Sequence, residues 1–176
     1  MFDWIKNINK PSPEFWKNYL EKFEKKSDRY VILRLESVIK LNSKQINIAC
    51  ISILNDCIVV KDSLEITVSE NETGIVAIEN FINYIENATL IGHKIYLEIE
   101  ILNDILYKMN CGRLKNDVLD IEIMHTKLNE ISDKEFSIQE LLQLYKLEKS
   151  TQHSASDYAF SIALLFLKLK TKLGII

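Results

Sequence analysis

Between Tyr30 and Thr67 the chain carries three runs rich in β-branched and other apolar residues: Tyr30 to Glu36, Ile46 to Leu54 and Ile58 to Thr67. Such runs favour extended backbone, and Asn55-Asp56 separates the last two at the length of a hairpin turn. The spacing predicts an antiparallel meander. The two-residue period of a strand puts Arg34 and Glu36 on one face of its first member.

Beyond the meander the period changes. Ile75, Ile78, Phe81, Ile82 and Ile85 recur at helical spacing and predict a helix over 75–86. Thr89 to Gly92 reads as a short strand, and a second helix with Glu98 in its first turns runs to about Met109. A strand is expected over Val118 to Met124, starting from the turn around Cys111-Gly112. Ser137-Ile-Gln-Glu140 is a capping box that opens a short helix through Tyr145, and a strongly apolar helix runs from about His153 to about Lys172. The order β-β-β-α-β-α-β-α-α is that of an α/β protein, a mixed sheet flanked by helices.

Residues 1–27 differ from the rest and are read as an N-terminal helical extension on a domain spanning 28–176. Ser12-Pro13 supplies a cap and the residue best suited to a first helical position. Phe15, Trp16, Tyr19, Leu20 and Phe23 then form an aromatic stripe at helical spacing. Two readings stay open: the stripe docks on the parent domain, or it offers a protein partner an aromatic face.

Composition narrows the setting. With 176 residues and 47% hydrophobic content, one compact domain can bury a sizeable core. A net charge of −3 gives no bulk attraction to a polyanion, so tight nonspecific duplex binding is not expected, although an acidic nuclease site that engages only a strand end remains compatible. Cys50, Cys57 and Cys111 lack C-x-x-C spacing, which speaks against zinc and a disulfide framework and for a reducing, cytoplasmic setting. No secretory signal is visible, and the apolar stretch Tyr158 to Leu167 is too short to span a bilayer, so no membrane partner is expected.

The chemistry concentrates in His153-Ser-Ala-Ser-Asp157-Tyr-Ala159. Four residues apart on a helix, His153 and Asp157 share a face. Imidazole titrates near neutral pH and carboxylates suit hard divalent cations, so the pair reads as a general base beside a metal ligand. The plainer reading has His153 near the helix cap and Asp157 on the positive end of the dipole.

Together with Arg34-Leu35-Glu36-Ser37, and with Gly92-His93-Lys94 followed by Leu97-Glu98, this run resembles, in order and spacing, the three motifs of the DnaQ-like DEDDh 3′ to 5′ exonucleases. The proofreading epsilon subunit of bacterial DNA polymerase III is their type member. The likeness covers roughly Asp28 to Leu169. The third motif fits, whereas the first two are degraded: Arg34 stands where the family has its first Asp, Glu98 where it has its second, Lys94 where it has Asn, and Leu97 where it has an aromatic.

The resemblance implies a ribonuclease H-like fold and a site acting on or binding the 3′ end of a single nucleic-acid strand. It places two Mg²⁺ or Mn²⁺ ions on carboxylates, here Glu36, Glu98 and Asp157, with His153 as base and with Ser37 and Leu97 beside the substrate. Arg34 brings a permanent positive charge to a ligand position. The expectation is a self-sealed site with impaired metal binding and doubtful turnover, set against residual activity with one ion on Glu36 and Asp157, or with Asp120 or Glu100 as substitute ligand. A catalytically inactive exonuclease-fold module that binds nucleic acid or a protein is the alternative. His93 is read as structural, and Glu100, Asp104 and Asp120 as solvated or capping carboxylates.

Overall fold

The computed structural model describes residues 11–40, 43–69, 72–147 and 154–175. The meander is present and longer than the apolar runs alone mark it. β1 (Tyr30–Lys40), β2 (Ser43–Leu54) and β3 (Cys57–Val68) pair antiparallel, and the β1–β2 register runs from Tyr30↔Ile53 to Lys40↔Ser43. Asn55 and Asp56 both take positive φ, as a two-residue hairpin turn requires, and these residue types tolerate it better than most. β4 (Thr89–Gly92) and β5 (Val118–Asp120) add parallel to the other side of β1, giving the order β3-β2-β1-β4-β5.

Strand alternation divides the core into two layers. Val31, Leu33 and Leu35 of β1 face α1 (Glu14–Glu21), α2 (Glu72–Ile85) and α3 (Ile95–Lys108), where Phe81, Ile82 and Ile95 are fully enclosed. Ile32 of β1, with Ala49, Ile51 and Ile53 of β2, faces the opposite layer. That layer comprises α4 (Ile121–Leu128), α5 (Ile138–Leu144) and α6 (Ala155–Leu173), the last ending at Gly174 in the left-handed region. The result is the expected mixed sheet between helices.

The aromatic stripe of α1 is turned inward. Phe15, Trp16 and Tyr19 are buried in the first layer, and the Tyr19 hydroxyl donates to Asn116 Oδ1 (2.7 Å) and accepts from the Lys115 N–H (2.7 Å). An aromatic face packed on the chain's own core favours the docked reading of this helix and leaves Leu20 as the exposed member of the stripe.

One element is reassigned. The strand expected over Val118 to Met124 stops at Asp120, and α4 begins at Ile121. Ile121-Glu-Ile-Met124 satisfies either period, and Asp120 decides between them: its Oδ1 accepts from the N–H groups of Glu122 (2.8 Å) and Ile123 (3.4 Å), capping a helix. The capping box at Ser137 and Glu140 forms as expected.

Candidate functional site

β1 carries the centre of the site. Its parallel pairing with β4 covers only Tyr30 to Ile32, so farther along the strand the N–H of Leu35 is taken up by a side chain instead. Glu98, in the first turn of α3, supplies it: Glu98 Oε1 accepts from Leu35 N (3.2 Å) and from Arg34 Nη1 (3.2 Å). The cationic side chain of β1 thus meets a carboxylate of α3.

α6 closes the other side. Glu65 of β3 and Arg34 of β1 both stand opposite Ala49 of β2, forming one cross-strand row. Ser156 donates to Glu65 Oε2 (2.7 Å), which lays the start of α6 over that row, and the Tyr158 ring lies 5.7 Å from the Arg34 guanidinium carbon. Ser154 caps α6 by accepting from the Asp157 N–H (3.1 Å), while its own hydroxyl donates to Asp157 Oδ2 (2.8 Å). Glu36 is half-buried, two residues beyond Arg34 on the same strand face. His153 lies outside the described residues.

Electrostatically the site turns on Glu98. It is 5% exposed, and its Oε2 has no hydrogen-bond partner among the described residues. Burial pushes its pKa up to about 7, with the Arg34 charge and the Leu35 N–H pulling the other way and Asp120 adding a smaller upward push. Near neutral pH this carboxyl is therefore only partly ionised.

A divalent ion of the kind the fold family uses needs several hard, mostly anionic oxygens around one point. Among the described residues the donor set does not meet that need. Arg34 stands where the motif resemblance expects the first ligand, Glu98 directs one oxygen to that guanidinium, and no three His, Cys, Asp or Glu side chains among the described residues come together as metal ligands.

A cleft of ≈ 280 Å³ opens beside the Arg34–Glu98 pair and takes in Ser37 and Leu97, two other predicted contacts. Neither Glu36 nor Asp157 lines it. Lys94, singled out in the sequence only as a departure from Asn, stands at its rim with φ 50° and bonds Glu135 Oε2 (2.6 Å). Ile46 and Ile101 complete an apolar wall that sequence reasoning did not foresee, since nothing in the strand or helix period singles them out as neighbours.

His93 makes a packing contact and also lines the cleft: its Nε2 lies 2.7 Å from the Phe136 carbonyl oxygen, fastening the segment between α4 and α5. Asp120 is a buried cap rather than a solvated group. Besides opening α4, its Oδ2 accepts from the Ile95 N–H (2.9 Å), so one carboxylate holds the starts of two helices. Asp120→Ala should cost roughly 1–3 kcal/mol by urea denaturation, because it strands buried donors at both helix ends. A loss no larger than that of an exposed surface substitution would show that these bonds contribute little.

No known family's sequence pattern matches the chain, and no curated protein matches it either. Among solved structures, one of exonuclease X in complex with 5′-overhanging duplex DNA superposes with a TM-score of 0.52 at 11% identity, covering 84% of this chain and 94% of that one. The fold is therefore that of an exonuclease, a ribonuclease H-like α/β sandwich.

Proposed function

We propose that this chain is an exonuclease-fold domain that engages the 3′ end of a single nucleic-acid strand, with metal binding impaired by Arg34. The observation that carries the reading is the Arg34–Glu98 contact. A fixed cation beside Glu98 satisfies an acid that would otherwise ligate metal, and it repels divalent ions. The fold, and a solved neighbour that is in complex with DNA, support the nucleic-acid part; the DnaQ-like motif order supports the assignment of the end. Tight nonspecific duplex binding is not part of the reading, because the chain carries a net charge of −3.

Trimming of end-labelled single strands in Mg²⁺ or Mn²⁺, with calorimetric titration of Mn²⁺ alongside, tests the proposal. The wild type should bind Mn²⁺ weakly and trim no faster than a heat-inactivated control. Arg34→Asp restores an anionic ligand and should bind Mn²⁺ more tightly and gain metal-dependent trimming. Tight binding of two ions by the unmodified protein would sink the reading.

A further inference from the structure

The cleft is lined by two cations, Arg34 and Lys94, by one carboxylate, Glu98, and by the His93 imidazole. Its charge balance is thus opposite in sign to that of a cluster built to collect divalent ions, and it suits an anion directly. We infer that the cleft holds a nucleoside monophosphate, free or as the last residue of a strand, by contact of its phosphate with Arg34 and Lys94 and without a divalent ion. The inference rests on the strand-end reading above and names the group that is recognised.

Both cations are placed for this. The Arg34 side chain is 28% exposed and, among the described residues, commits one N–H group to Glu98, which leaves most of its planar fork for the paired oxygens of a phosphate. Lys94 is tied to Glu135, but that carboxylate is 85% exposed, so an incoming phosphate displaces a partner that water readily receives. Lys94 also stands immediately before α3, a helix of 14 residues whose positive end adds to the same field.

The rest of the cleft fits what a phosphate would carry. Ile46, Leu97 and Ile101 add apolar surface to the same cleft, and Leu97 and Ile101 are exposed and belong to neither core layer. A bare inorganic anion leaves that surface unused, whereas a nucleobase covers it. At ≈ 280 Å³ the space lies near the lower end of small-molecule sites, about 300 Å³, which suits one nucleotide and not a duplex.

The test is calorimetric titration of the full chain in EDTA with adenosine 5′-monophosphate, adenosine, inorganic phosphate and a short oligothymidylate, repeated with Mn²⁺. Adenosine 5′-monophosphate should bind in EDTA at least roughly tenfold more tightly than adenosine or phosphate alone, with no gain from Mn²⁺. Arg34→Lys, which keeps the charge and loses the fork, and Lys94→Gln, at the solvated rim, should each weaken binding by roughly tenfold, and both should fold normally. Binding of the mononucleotide that appears only with Mn²⁺, equal affinity for adenosine, or indifference to both substitutions would each overturn the inference. Oligothymidylate binding that needs Mn²⁺ leaves the strand-end reading standing while this one falls. Mononucleotide binding in EDTA with no oligothymidylate binding does the reverse and makes a free nucleotide the occupant. No binding of either ligand under either condition removes both.

Discussion

Trp16→Ala should destabilise the protein by about 3–5 kcal/mol, the cost of removing a large aromatic from an enclosed site. Trp16 is 3% exposed, lies 4.7 Å from the Tyr19 ring centroid to centroid, and covers Gly112, where an added Cβ would sit 3.4 Å from its ring. The neighbouring Leu20, which points outward from the same helix, serves as the control, and Leu20→Ala should stay within about 0.5 kcal/mol. Urea denaturation of both variants reads the difference directly. A chain begun at residue 28 loses the Tyr19 bridge to Lys115 and Asn116 as well as the tryptophan, and should fail to give a cooperative transition. If Trp16→Ala proved as mild as Leu20→Ala, the extension would be an appendage after all.

The stability of the wild type should fall as pH rises through the neutral range. Glu98 has an ordinary value of 4.5 and a folded-state value of about 7, so the folded protein holds this proton more tightly than the unfolded chain does. Its contribution is therefore fully present below about pH 4.5 and is lost progressively as pH rises through about 7, on the order of 3 kcal/mol in all. Glu98→Gln, which mimics the neutral acid, should remove this slope and be the more stable protein at about pH 8. Arg34→Ala acts in the other direction. Without the guanidinium, Glu98 escapes isolation by keeping its proton, so the variant should lose little near pH 5. Above the wild-type value it should lose about 1.4 kcal/mol for each further pH unit. Urea denaturation across pH resolves all three curves. Parallel curves for wild type and Glu98→Gln would mean that the Glu98 carboxyl is not held in a desolvated state.

Much of this architecture was legible in the chain. Two-residue alternation in three apolar runs, an Asn-Asp turn and a Ser-Glu capping box are local signals, and each acts through the backbone of its own few residues. That is why β1, β2, β3 and α5 appear where the spacing puts them. The one wrong element has a local cause too: Ile121 to Met124 suits a strand or a helix, and the Asp120 carboxylate settles it by capping α4 two and three residues on, while only its bond to the Ile95 N–H waits for α3 to lie beside β5. The inward turn of the α1 aromatics was open, since an apolar stripe specifies burial without specifying what covers it.

For the site, the sequence by itself determined which side chains stand where the motif resemblance points: Arg34 on the first strand, Glu98 and Lys94 downstream, and Leu97 beside them. Only the tertiary structure decided that Arg34 and Glu98 touch across 64 residues of chain, and that Lys94 and an aliphatic wall share their cleft. The physical reason is range. Residue type and period are fixed within a turn or a strand, whereas the pairing of a buried acid with a distant cation depends on where β4 stops and which backbone N–H it leaves for Glu98 to take.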